Sequence, residues 1–225
     1  MVLYPTQGVS DIQKLQMDST DSLNSKVIAI EGNFDYAQTA VKKIFNDQAI
    51  KAELKGKNTY LSSANSINIG RLLPQVVYYF YAYADLVNKN EINCGDQVSF
   101  CVPTGNFGDI LAGFYAKEMG LPVGKLIIAS NDNNVLTDFF TSGTYDANRE
   151  LIKTISPSMD ILVLSNLERL IFHKSSDQVV REKMEDLRKK GSFSFDGDFS
   201  EFLLALPIKR KLKKLLKKFM KMRDI

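Results

Sequence analysis

VSFCVPTGNFGDILAGFYAKEM, residues Val98 to Met119, decides how the rest of this chain is read. Val98 to Val102 is an apolar run of strand length, Pro103-Thr104-Gly105-Asn106 is turn chemistry, and Ile110 to Met119 carries helical spacing. A strand that enters a glycine-bearing loop and leaves as a helix aims its loop amides, and the positive end of the helix dipole, at one point in space. That is the geometry of a phosphate cradle. Gly105 and Gly108 let the backbone approach an anion with no Cβ in between. Asn106 offers a side-chain donor, and Asp109 is placed to cap the helix. TGNFGD is neither GxGxxG nor a Walker sequence, and the same turn also serves simply to pack a helix on a sheet. Both readings stand on these residues alone.

The chain of 225 residues is 44% hydrophobic and 24% charged, a globular composition sufficient for one large domain or one and a half small ones. With no apolar run of membrane-spanning length, no membrane partner is expected. Met1 to Pro5 lacks the basic segment and apolar core of a signal peptide. Cys94 and Cys101 are not spaced as CxxC and read as reduced thiols, one of them inside a core strand, which fits a cytoplasmic protein. The single histidine, His173, argues against a histidine-rich metal centre and against a Ser-His-Asp triad, so no metal is expected; it reads as a polar position on a helix. The net charge of +3 conceals a division. From Pro207 onward there are nine Lys or Arg and one Asp, which leaves 20 basic and 25 acidic residues, a net of −5, in the body. No nucleic-acid partner is expected for that body; such a role would rest on the tail alone.

Read in order, Val2-Leu3-Tyr4 is the end of a short buried strand, and Ser10 offers an N-cap for a helix with Ile12, Leu15 and Gln16 on one side. Lys26 to Ile30 is a second β-branched run, and Phe34 to Phe45 has the spacing of an amphipathic helix. Strand, helix, strand, helix implies parallel pairing with helices on the faces. Lys51 to Asn58 reads as polar and turn-like. A long helix is expected from about Ile69, with Pro74 near its first turns, where a missing N–H costs least. In this reading Val76, Val77, Phe80 and Leu86 face a core while Tyr78, Tyr79, Tyr81 and Tyr83 surround it, so the helix is buried on more than one side. Ahead of it, Ser62, Ser63, Asn65, Ser66 and Asn68 form either an elaborate N-cap or, with Arg71, an anion site in which the guanidinium makes a forked pair with phosphate. Lys125 to Ser130 is a further core strand, and Ala129 to Asn133 reads as a cleft edge at the carboxyl end of a parallel sheet. Helices are expected over Val135 to Phe140, ended at Gly143, over Ser165 to Phe172, and over Gln178 to Lys190, ended by Gly191, with Pro157 to Ile161 as a loop.

Five segments stand in series: LYPTQGVSDIQKLQM near the start, AIEGNFDYAQ at Ala29 to Gln38, SANSINIGRLLPQ at Ser63 to Gln75, VPTGNFGDILAGFYAKEMGLP at Val102 to Pro122, and SPSMDILVLSNLERL at Ser156 to Leu170. Together they resemble threonine synthase of the long bacterial and fungal type, over roughly residues 2 to 195. The resemblance implies an α/β protein of the tryptophan-synthase-β-like fold (pyridoxal-phosphate fold type II), here partial, with parallel or mixed sheets and flanking helices in two lobes. It implies residues 1–58 in a partial small lobe, 59–195 in a partial large lobe with the phosphate loop, and 196–225 as a tail foreign to the family. The activity implied is conversion of O-phospho-L-homoserine and water to L-threonine and phosphate, with pyridoxal 5'-phosphate as cofactor. By the same resemblance Gly105, Asn106, Phe107 and Gly108, flanked by Thr104 and Asp109, hold the cofactor phosphate. Asn65, Ser66, Asn68 and Arg71 are assigned to the substrate, with the resemblance allowing them to hold either its phosphate or the cofactor's.

Two departures from the family pattern accompany the match. The family's Schiff-base lysine lies in a Phe-Lys-Asp motif ahead of the LYP strand, and no lysine here has that context. The carboxyl-terminal segment that closes the family's site is also not matched. These departures lead to the expectation of a central fragment, inactive by itself. The basic tail, ALPIKRKLKKLLKKFMKMRDI at Ala205 to Ile225, has three readings: an amphipathic helix for anionic surfaces, a solvated helix, or a frameshift. One codon choice for Leu206 to Ile225, read two bases later, yields TNKEETKETIKEVYENAGY, an acidic helix of the kind the family carries there; the frameshift is the reading adopted.

Overall fold

The computed structural model describes residues 2–6, 9, 11–32, 40–41, 43–62, 68–154, 156 and 159–205. The chain divides into two compact units, Met1–Ser63 and Ala64–Ile225. The first unit holds β1 (Val2–Pro5), α1 (Asp11–Asp18), β2 (Val27–Ile30) and α2 (Gln48–Gly56). As expected from the strand–helix–strand order, β1 and β2 pair in parallel, Val2 opposite Val27 through Pro5 opposite Ile30. Ile12 and Leu15 of α1 are exposed. Ser10 and most of Phe34–Phe45 lie outside the described residues, although 40–41 and 43–46 are helical. Lys51–Asn58 corrects the sequence reading, because most of it is α2 rather than a turn. The reason is local: the Asp47 carboxylate accepts from the Ala49 and Ile50 amides at 2.8 and 3.1 Å, and Lys57 pairs with Glu53 one turn back.

The second unit contains α3 (Ile69–Asn88), β3 (Val98–Pro103), α4 (Gly108–Glu118), β4 (Val123–Ala129), α5 (Val135–Ser142), β5 (Thr144–Asp146), α6 (Leu167–Lys174), α7 (Asp177–Lys190), β6 (Ser192–Ser194) and β7 (Phe202–Ala205). β4 lies between β3 and β7, and both pairings are parallel. A parallel pair needs a crossover, and α4 supplies the one between β3 and β4. β5 and β6 form a separate antiparallel pair. β7 lies in the stretch that the resemblance assigns to the tail. It is anchored by half-buried ion pairing of Lys174 with Glu201 at 2.7 Å and by Lys125 Nζ donating to the Ser200 carbonyl at 2.7 Å. Residues 206–225 lie outside the described residues. Among the described residues no helix is long and apolar enough to cross a membrane.

α4 is buried almost all round, with Ile110, Leu111, Ala112, Gly113, Phe114 and Ala116 inaccessible, because it packs against α3, β3 and β4. α3 is less buried than its composition suggests. Leu72, Val76, Tyr79 and Tyr83 make its buried face, while Val77, Tyr78 and Tyr81 are exposed. The four buried positions recur every three or four residues, one stripe of a helix and not two. Cys101 is a second correction: it lies on β3 but is exposed. The alternation of a strand places it with Ser99 and Pro103 on the face opposite Val102.

Close packing of α3 on α4 depends on Gly113. A Cβ there would stand 2.7 Å from the Tyr79 ring and 2.9 Å from Leu126 Cδ2. Gly113→Ala is therefore expected to lower stability by about 1–3 kcal/mol through overpacking, read from the urea midpoint. A midpoint at or above the parent's would contradict this packing.

The second tie between the two helices is polar. The Tyr79 hydroxyl donates to the Asp109 carbonyl at 2.8 Å and reaches its Oδ1 at 3.4 Å. Burial, and then the neighbouring carboxylate, push the Tyr79 phenol up, so it stays a donor. Burial likewise raises the Asp109 carboxyl above its ordinary range, opposed by the hydrogen bond from Tyr79. A raised carboxyl binds its proton more tightly in the folded chain than in the unfolded one. Its contribution to stability is present at acid pH and is lost as pH rises from the ordinary carboxylate range through the raised value. Asp109→Asn should match the parent near pH 3.5 and exceed it at pH 7. The gain should stay below about 1 kcal/mol because the side chain is partly solvated. Urea titrations at the two pH values check this; a variant that loses ground between acid and neutral pH contradicts it.

Candidate functional site

The β3–α4 turn opens on a cavity of about 370 Å³, inside the second unit and within the size range of small-molecule sites. Thr104, Gly105, Asn106, Phe107, Gly108 and Asp109 line one side, with Arg71 and Gln75 of α3 beside them and Ile110, Met159 and Ile161 adding apolar surface. Seven of the ten expected site residues therefore meet at one place: the six loop residues and Arg71.

The loop is held from behind. The Thr104 amide donates to the Ala129 carbonyl at 2.9 Å and its hydroxyl to the Val102 carbonyl at 2.8 Å. Thr104 is thus committed to continuing the sheet, and its hydroxyl is spent on backbone. Phe107, in the left-handed region at φ 71, precedes α4 and buries its ring to 1% exposure, stacked on Phe140 at 5.9 Å and near Phe202 at 5.8 Å. The expected cap is corrected: no side chain caps α4 at Phe107, and Asp109 engages Tyr79. Asn106 accepts the Gly108 amide on Oδ1 at 3.2 Å, so here it acts as an acceptor. The carbonyl of Asn106 in turn receives the fully buried Asn166, from the backbone amide at 3.4 Å and Nδ2 at 3.3 Å.

Asn68 stands at the start of α3. It is the N-cap of α3, accepting the Gly70 amide at 2.9 Å, and is not among the residues lining the cavity. Asn65 and Ser66 lie outside the described residues. Ala129 to Asn133 does end β4, but Asn131 and Asn133 turn onto Asp160 rather than line the cavity. Gln75, Asn166, Met159 and Ile161 were not singled out in the sequence. Gln75 carried a legible signal, since it sits four residues after Arg71 and so on the same face of the helix. Its Oε1 is buried with no hydrogen-bond partner among the described residues.

Chemically, this arrangement can hold an anion between the first turn of α4, whose leading amides have no intrahelical acceptor, and the planar cation of Arg71. The Met159 and Ile161 wall suits an apolar or aromatic body. A phosphate ester of a flat ring fits that donor set on both counts. Among the described residues the lining contains no lysine.

No family model matches the chain. It is 53% identical over 208 residues to human threonine synthase-like 1, covering 90% of this chain and 28% of that protein. Among solved structures, the pyridoxal-phosphate-bound threonine synthase of Brucella melitensis is 44% identical with a TM-score of 0.77, over 90% of this chain and 43% of that one. The yeast threonine synthase gives 37% identity and a TM-score of 0.74, over 90% and 41%. The α/β architecture described above is the one these structures share, the tryptophan-synthase-β-like fold type II. The chain thus spans less than half the length of each of these relatives, and over nine-tenths of its own length it is a homologue of the threonine synthases.

Proposed function

We propose that these residues form the phosphate-holding part of a pyridoxal-phosphate-dependent enzyme that converts O-phospho-L-homoserine and water to L-threonine and inorganic phosphate. The observation that carries this reading is the convergence of the Thr104–Asp109 turn and Arg71 on one cavity that Ile110, Met159 and Ile161 also line. Similarity to threonine synthases, one of them solved with pyridoxal phosphate bound, supports it. Residues 1–58 and 59–195 are assigned to the two lobes of such an enzyme, acting on a small molecule in the cytoplasm.

The cofactor, when bound, supplies an electron sink for charge developing beside the substrate's amino group. Gly105 and Gly108 bring the backbone close to its phosphate, and the buried ring of Phe107 fixes the direction of the neighbouring amides. Arg71 offers forked hydrogen bonds to a phosphate. With Asn65, Ser66 and Asn68 it is assigned to the substrate's phosphate; Asn68 acts by setting where α3 begins. Met159 and Ile161 would shield a bound ring from water.

Covalent attachment of the cofactor needs an amine in the cavity, and the described lining has none. The 225-residue polypeptide by itself therefore holds pyridoxal phosphate without a covalent bond and does not turn over. Calorimetric titration with pyridoxal phosphate should give saturable binding, weakened at least about tenfold by Gly105→Val. Borohydride treatment of the complex should leave no stoichiometric adduct on any one lysine, and O-phosphohomoserine should release no phosphate. Equal affinities for parent and Gly105→Val would remove the loop from the function. A single stoichiometric adduct, or measurable phosphate release, would overturn the non-covalent reading.

A further inference from the structure

The cavity has two walls of different construction. Its polar wall stands on regular elements: the end of β3, the first turn of α4 and one face of α3. Its apolar wall includes Met159 and Ile161, which belong to a stretch outside every helix and strand given above. Such a stretch has no ladder; the Met159 amide donates to the Ser156 carbonyl at 2.8 Å and the Ile161 amide to the Met159 carbonyl at 3.0 Å, which shape it locally, and its tie to the end of β4 comes from side chains.

That role falls to the residue between them. Asp160 Oδ1 accepts from Asn131 Nδ2 at 2.7 Å, Asn133 Nδ2 at 3.1 Å and Thr154 Oγ1 at 2.7 Å, and Oδ2 accepts from the Thr154 amide at 2.8 Å. Asn133 completes the clamp. Its Nδ2 donates to the Ile152 carbonyl at 2.7 Å, and its Oδ1 accepts the Ile152 amide at 2.9 Å. The carboxylate therefore joins Asn131 and Asn133, just beyond β4, to Thr154, and Asn133 adds Ile152. Charge-assisted bonds of this kind, pooled on one group, are stronger than neutral ones.

We infer that Asp160 is a positioning residue for the apolar wall, one that sets affinity for the ring of a phosphorylated aromatic ligand and leaves affinity for its phosphate unchanged. This rests on the reading of the cavity under Proposed function. The logic is mechanical. The phosphate donors are held by the sheet and by the packing of α3 on α4, and the bonds of Asp160 go to Asn131, Asn133 and Thr154 rather than to the turn itself. Met159 and Ile161 flank Asp160 directly, so they move when its bonds are lost. Replacing the carboxylate by an amide turns an N–H against at least one of the four donors, whichever way the amide sits.

The test titrates the 225-residue chain with pyridoxal phosphate and, separately, with inorganic phosphate. Asp160→Asn should weaken pyridoxal phosphate about tenfold and inorganic phosphate less than about twofold. Ile161→Ala should show the same selectivity without touching the clamp. Thr154→Val, which removes one donor to Oδ1 and keeps the carboxylate, should give a smaller loss in the same direction. Variants that bind pyridoxal phosphate as the parent does, or that lose both ligands by one factor, overturn the inference and leave the cofactor reading intact. A parent that binds inorganic phosphate but not pyridoxal phosphate overturns the cofactor reading and this inference with it.

Discussion

The reversal of the chain at Phe107 is the constraint on which the rest of the second unit depends. A bulky residue in the left-handed region is costly and persists only when its surroundings over-determine it. Here the surroundings are aromatic. The ring is buried to 1% exposure between Phe140 of α5 and Phe202 of β7, and Phe140 also meets Phe202 at 5.2 Å. The core thus holds the turn in a shape the backbone would not choose alone. The direction of the amides on the cavity side follows from packing on the opposite side. β7 takes part in the same arrangement, since it pairs with β4 through Leu126 to Ala129 and carries Phe202 into the cluster.

The α3–α4 contact is the second support. Gly113 lets the Tyr79 ring lie against the helix backbone, and the Tyr79 hydroxyl then reaches Asp109 at the first turn of α4. One residue thereby sets both the spacing of the helices and the height of α3 relative to the β3–α4 turn. Arg71 and Gln75 reach the cavity because they lie two turns and one turn before Tyr79 on that same helix. The polar wall is consequently rigid for reasons that have nothing to do with a ligand. Met159 and Ile161 lie outside the numbered helices and strands, where two backbone turn bonds accompany a network of asparagine, threonine and aspartate side chains.

Much of this was legible beforehand. The βα turn, the helix from Ile69, the Gly143 and Gly191 stops and the parallel pairing of the first two strands follow from local residue chemistry that acts over a few positions. The failures have a common cause. Lys51–Asn58 reads as a turn by composition, yet a single capping aspartate at Asp47 is enough to start a helix there. Cys101 reads as core because strand runs are apolar on average, whereas burial depends on which face meets another layer.

By itself, the order of residues determined where the backbone could turn, which stretches were apolar with which period, and that glycines and an asparagine would stand between a strand and a helix. These are properties of neighbours along the chain. Only the tertiary structure decided that Arg71 and Gln75 share a cavity with that turn, that Met159 and Ile161 line it too, and that Asp160 meets Asn131 and Asn133. Those partners are separated by some thirty to ninety positions, and their meeting is set by how buried helices and strands pack, a global balance of shape and burial that no local pattern encodes.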